Sequence, residues 1–275
     1  DKKQGLGFLD YVAGAGKRLA LPWTGIAGLR LTGMKLYEVY GSVQNQLEVA
    51  KQMEDRFAAD FTGIMDDGII LSETLGMKIK VYDYDFPAVQ EHGVKTREAL
   101  ARLKMPDPLA GGRIKTNIQA IEALAKISEK PLAISIEGPF TLAAQLAGVE
   151  DLARAIIADP DFVRLLLKFT AGAVKRYAQA VSRAGADLVS IAEPTSIILS
   201  PQQFKTFVAP GLQKVFQDLT AWKVLHICGD TSHLLDLILS CGMEGLSLDQ
   251  VMDIPAVMKK IPENIVFSEI SIPWK

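Results

Sequence analysis

The chain has 275 residues, 49% of them hydrophobic and 23% charged, which is enough apolar material for one large folded unit and excludes a mainly disordered protein. A formal charge of −2 and a pI near 6.0, with no block of basic residues, remove the electrostatic basis for nucleic-acid binding. The apolar runs are strand-length, no signal-peptide core follows the charged start, and two cysteines, Cys228 and Cys241, make no disulfide framework. These features predict a cytoplasmic protein with no membrane or nucleic-acid partner.

Residues 35–58 carry apolar positions at helical spacing, and the compact run "DFTGIMDDGIIL" breaks that period and predicts a first strand. The alternating "KVYDYDF" at 80–86 reads as an edge strand, "MPDPLAGGR" at 105–113 as Pro/Gly loop, and 116–130 as an amphipathic helix. A regular pattern follows. Strands are predicted at 131–137, 186–193, 223–228, 244–249 and 264–269. Helices are predicted from 140, twice between 151 and 184, and at 201–220, 232–240 and 255–260. Short strands suited to burial on both faces, alternating with helices, mark parallel βαβ units.

A doubly wound sheet and a (βα)8 TIM barrel both satisfy this pattern. No G-x-G-x-x-G follows any strand, and "AGAGKR" at 13–18 lacks the first glycine of a phosphate-binding loop because position 11 is Tyr11. Polar or reactive residues recur instead at the ends of successive strands: Asp66 and Asp67, Glu137, Glu193, His226 and Cys228, Asp249, Glu269. A barrel gathers such residues at one mouth, so the expected fold is an α/β (βα)8 barrel. Six candidate strands are two short of closure, so the last one or two βα units are expected outside the sequence. The whole of 1–275 reads as one domain, with a helical extension over 1–55 and the barrel over 56–275.

Within "KVLHIC", side chains two positions apart share a face, so His226 and Cys228 could reach one ion, and imidazole and thiolate are favoured zinc donors. The same two residues also suit an ordinary buried strand end. Cys241, thirteen residues on and across a helix, is expected near the opposite end of the barrel. Asp249 and Glu193, ending the neighbouring strands, are the candidate third donors. His233 reads as structural, His92 has no visible partner, and Asp66 and Asp67 face opposite ways, so at most one points into the mouth.

The phrases "DFTGIMDDGIILSETLGMKI", "ISIEGPFTLAAQLAG", "AGADLVSIAEPTSIILSPQQFKTFVAP" and "LHICGDTSHLLDLILSCGMEGLSLD" resemble the uroporphyrinogen decarboxylase superfamily. The resemblance is stronger to its corrinoid-dependent branch, the methylcobamide:coenzyme M methyltransferases, and runs from about Leu31 to Phe267. It implies a (βα)8 barrel with a helical N-terminal extension and Zn2+ held by His226 and Cys228. It also implies methyl transfer between a methylcobamide on a separate corrinoid carrier protein and a thiol such as coenzyme M, or another acceptor such as tetrahydrofolate. The branch's third ligand is a cysteine on a later strand, expected beyond Lys275. Asp249 or Glu193 would then occupy the open position until substrate arrives, and Asp67 would orient the acceptor. Related barrels also pair up, so a homodimer is possible on this reading. Two alternatives accompany it. Asp67 falls where the decarboxylases hold a substrate-orienting aspartate, yet their basic "RQAGR"-like stretch is replaced here by "LALPWTGIAGLRLTG" with Arg30. A non-catalytic corrinoid-pathway binding protein is the other.

Overall fold

The computed structural model describes residues 5–22, 26–65 and 67–269. Its centre is a five-stranded parallel sheet made of β3 (Ala133–Glu137), β4 (Leu188–Ala192), β5 (Trp222–Ile227), β6 (Gly245–Leu248) and β7 (Val266–Glu269), in that spatial order. β1 (Lys78–Lys80) and β2 (Ala88–Glu91) form a separate antiparallel pair. Each central strand pairs with the next in sequence and a helical segment lies in every connection, the parallel α/β arrangement of a TIM-barrel wall. β4 reads "LVSIA" and β6 "GLSL", with no exposed residue in either, so their apolar runs are continuous rather than alternating.

Helix ends follow local chemistry. Ser42 caps Val43–Arg56 by accepting from the Asn45 amide at 3.2 Å, and Asp159 caps the 24-residue helix Pro160–Arg183 by accepting from the Phe162 amide at 3.0 Å. Proline begins the second of these, where its missing N–H costs nothing. Residues 35–58 form two helices, Leu36–Tyr40 and Val43–Arg56, separated at Gly41 and Ser42. The predicted helix 201–220 runs as Pro201–Gln203, a π turn at Phe204–Val208, then Ala209–Gln217. Pro210 cannot donate an amide proton to the turn before it, and the widened turn accommodates that gap.

Two predicted strands differ from the structure. The first shrinks to a single parallel bridge, Thr62 to Leu132, with the Thr62 amide on the Pro131 carbonyl at 3.0 Å and the Ala133 amide on the Thr62 carbonyl at 2.8 Å. Gly63 follows at a close approach, where a Cβ would lie 2.5 Å from the Ala133 carbonyl oxygen. The predicted edge strand 80–86 is mostly loop, and the true strands flank it. Its alternation misleads because residues 81–86 are exposed, leaving no buried face to select a register, and the loop is anchored by the Leu36 amide donating to the Asp83 carbonyl.

The N-terminal residues close the amino end of the sheet. Phe8 stacks on Trp222 at 5.2 Å, Tyr11 lies 4.8 Å from the same ring, and the indole Nε1–H donates to the Leu6 carbonyl at 3.0 Å. Trp222 begins β5, so this plug sits at the end of that strand opposite His226 and Cys228. No described helix is long and apolar enough to cross a membrane.

Candidate metal centre at the carboxyl end of the sheet

His226 is the fifth residue of β5 and Cys228 lies just past its end. Alternation brings both to one side, and the structure joins them: imidazole Nε2 lies 2.8 Å from Cys228 Sγ. The other ring nitrogen, Nδ1, lies 3.2 Å from both the carbonyl and the hydroxyl oxygen of buried Ser247 on β6. A proton on Nδ1 satisfies the Ser247 carbonyl and leaves the Nε2 lone pair directed at the sulfur, the tautomer a metal-binding histidine requires. Burial pushes the His226 imidazole down, and partial burial together with the Asp249 charge pushes the Cys228 thiol up. The resting pair is therefore a neutral thiol donating to a neutral imidazole, unlike the ion pair of an activated nucleophilic cysteine.

Asp249 does not complete a three-donor set. Its Oδ2 accepts from the Gly229 amide at 2.9 Å and its Oδ1 from the Val251 amide at 3.3 Å. Its carboxylate thus clamps the loop that follows Cys228, and among the described residues no three His, Cys, Asp or Glu side chains are gathered closely enough to hold a metal ion. Gly229 makes the clamp possible at φ +84°, where a Cβ would also meet Ile197 Cδ1 at 2.2 Å. Gly229→Ala is expected to destabilise the chain by about 1–2 kcal/mol, read as a lowered urea midpoint with unchanged slope.

Glu193 is also placed otherwise than expected. It is fully buried, and its two carboxylate oxygens accept from the Phe140 amide at 3.0 Å and the Thr141 amide at 2.5 Å, in the first turn of the helix Pro139–Ala147. That helix start provides free amides and a positive dipole end, so the carboxylate faces it rather than a shared ion. Gly138 leaves the room, since a Cβ there would stand 2.2 Å from Glu193 Oε2. The link to the pair runs through the backbone, the Glu193 amide donating to the His226 carbonyl at 2.8 Å.

Glu137, which ends β3, is buried as well. Its Oε1 accepts from the Leu71 amide at 3.1 Å, and its Oε2 has no hydrogen-bond partner among the described residues. Burial pushes its carboxyl up to about 7 from 4.5. Below pH 4.5 both folded and unfolded chains hold this proton. Between 4.5 and 7 only the folded chain does, so stability from this group falls as pH rises through that window. Urea titrations from pH 4.5 to 7.5 are expected to find the slope flattened in Glu137→Gln, by about 3 kcal/mol across the window at most.

Asp67 pairs with Arg113 and not with His226 or Cys228. Its carboxylate accepts from Arg113 Nη1 at 2.7 Å and from the Ile69 amide at 3.2 Å. Arg113 also donates through Nε to Glu73 at 2.5 Å and lies over the Tyr40 ring at 4.4 Å. These residues wall a cavity of about 460 Å3 that includes none of His226, Cys228 and Asp249. Sequence reasoning missed Arg113, treating 105–113 as loop. The available signal was a cation in the first turn of the helix Gly112–Ile127, where the macrodipole favours acids, so an arginine there needs anionic partners. Asp66 and the Glu269 side chain lie outside the described residues.

The remaining candidates resolve simply. Cys241 is buried, bonded to the Leu237 carbonyl at 3.4 Å and pushed up to about 12 by burial. His233 Nε2 meets the Leu199 carbonyl at 3.1 Å, a structural role as expected. His92, expected to have no partner, has its Nδ1 2.7 Å from the Gln145 carbonyl.

Comparison with known proteins adds the following. The family model described as Uroporphyrinogen decarboxylase (URO-D) matches residues 27–269. A methylcobamide:CoM methyltransferase, MtaA, of Methanosarcina barkeri is 30% identical over 207 residues, covering 70% of this chain and 58% of that protein. A uroporphyrinogen decarboxylase of Trichlorobacter lovleyi is 28% identical over 212 residues, covering 74% and 61%. The chain thus spans about three fifths of the length of these relatives. Among solved structures, a methyltransferase from Methanosarcina mazei superposes with TM-score 0.86 at 24% identity, over 96% of this chain and 82% of that one, a likeness of fold.

Proposed function

The chain belongs to the uroporphyrinogen decarboxylase family, and we propose that within it this protein transfers a methyl group between a corrinoid and a thiol, with zinc held by His226 and Cys228. The observation that carries the reading is the 2.8 Å convergence of Nε2 and Sγ at the carboxyl end of β5, with Nδ1 engaged by Ser247. Sequence identity to the methylcobamide:CoM methyltransferase supports the same chemistry.

The donors present fit zinc in kind, one imidazole and one thiol in contact, and a third donor is not among the described residues. Zinc bound there would lower the pKa of a coordinated thiol substrate and keep it as thiolate at neutral pH. The chain's own residues supply the rest. Ser247 fixes the imidazole tautomer, the Asp249 clamp on Gly229 sets the path of the backbone leaving Cys228, and solvent exposure at Cys228 gives a substrate sulfur access. In the transfer the thiolate sulfur attacks the methyl carbon, a carbon–sulfur bond forms and the cobalt–carbon bond breaks. The bonding electron pair stays on cobalt, and the thiol proton is released to solvent. The corrinoid, on this reading, is presented by a separate carrier protein docking at the same end of the sheet.

Elemental analysis of the purified full chain, paired with methylcobalamin absorbance on adding 2-mercaptoethanesulfonate, tests the proposal. Stoichiometric zinc and thiol-dependent loss of the methylcobalamin spectrum are expected. A zinc-free protein that leaves the spectrum unchanged overturns it.

A further inference from the structure

The cavity beside Asp67 takes no part in the reading above. Its volume of about 460 Å3 falls within the range of small-molecule sites, about 300–1,000 Å3. Its walls are largely apolar or aromatic, with Tyr37, Ile69, Ile79, Val81 and Pro87 contributing.

Its charge is unbalanced. Two carboxylates, Asp67 and Glu73, share one guanidinium, and neither lysine of β1 lines the cavity. Arg113 has little left to offer an anion. Nη1 is committed to Asp67 and Nε to Glu73, and Nη2, which has no hydrogen-bond partner among the described residues, is sealed from solvent and out of a ligand's reach. Asp67 is closed off too, its side chain 1% exposed and its carboxylate holding Arg113 and the Ile69 amide. Glu73 differs: its side chain is 43% exposed, and only one of its oxygens receives Arg113. The surplus negative charge therefore faces the cavity at Glu73, among rings whose faces attract cations, as the Arg113 stack on Tyr40 illustrates.

We infer that this cavity is a binding site for a small organic cation with an apolar body, its ammonium group held by the outer oxygen of Glu73 and its body lying against Tyr37 and the β1–β2 hairpin. An anion of the same shape meets uncompensated carboxylate and no accessible charged donor. An uncharged analogue gains the apolar contact alone.

The test uses three near-isosteric probes: benzylammonium, benzyl alcohol and benzoate. Their binding to the full chain is followed by calorimetry and by displacement of NMR signals from the hairpin, at constant ionic strength. The expected order is benzylammonium tightest and benzoate weakest. Glu73→Gln keeps an acceptor for Arg113 Nε while removing the charge. It is expected to weaken benzylammonium by about threefold or more and leave benzyl alcohol unchanged. Equal or tighter binding of benzoate, no saturable binding of benzylammonium, or an unaltered benzylammonium affinity in Glu73→Gln overturns the inference. None of these readouts involves zinc or corrinoid, so the outcome is independent of the methyl-transfer reading.

Discussion

Replacing Cys228 with serine, or His226 with alanine, is expected to lower thiol-dependent demethylation of methylcobalamin by about 10³-fold and to abolish stoichiometric zinc retention. Each substitution removes one half of the only imidazole–thiol contact among the described residues, and no neighbouring side chain can replace it, because Asp249 is engaged with the Gly229 and Val251 amides. The cost to the fold should be small. Cys228 is exposed and His226 half-buried, so urea midpoints should move by no more than about 1 kcal/mol in stability. Activity within tenfold of the parent in either variant, with the fold intact, counts against the pair as the metal-binding centre. Asp249→Asn provides the contrast: it keeps an acceptor for the Gly229 amide and is expected to retain zinc.

Glu193→Ala is expected to be the most destabilising single change near the site, costing about 2–5 kcal/mol in urea unfolding at pH 7. It would strand the buried amides of Phe140 and Thr141 with no acceptor and leave a void against Gly138. Glu193→Gln retains one carbonyl acceptor for two donors and should lose roughly half as much. The role is structural, but it reaches the centre through the backbone hydrogen bond between Glu193 and His226. A Glu193→Ala protein as stable as the parent would contradict the placement of the carboxylate at the helix start.

The fold was legible in proportion to how strongly burial constrained it. β3, β4, β5 and β6 fall within a few residues of the runs that announce them, because a strand covered on both faces is apolar at most of its positions. The first strand and the hairpin were misjudged because neither is so constrained: one is a lone bridge, and the other is exposed on one face and only half-buried at Ile79 and Val89 on the other. For the site, a period of two was enough to bring His226 and Cys228 together, since neighbours on one strand need no knowledge of packing. The acids ending the adjacent strands meet backbone amides instead of the pair, for a general reason. In parallel βα units the carboxyl end of each strand lies beside helix starts and loop amides, which compete with any metal for carboxylate oxygens, and at Glu193 and Asp249 the amides prevail. For Arg113 the sequence signalled a need for anionic partners but not that Asp67 and Glu73 supply them, because the approach of its helix to the Asp67 segment is set by tertiary packing and not by spacing.

X-ray absorption at the zinc edge, on the zinc-loaded full chain with and without 2-mercaptoethanesulfonate, tests the central claim most directly. The account predicts nitrogen and sulfur scattering from His226 and Cys228 in the resting protein, and one additional sulfur when the thiol is supplied. A zinc environment without sulfur in the parent protein, or one unchanged by the thiol, contradicts it.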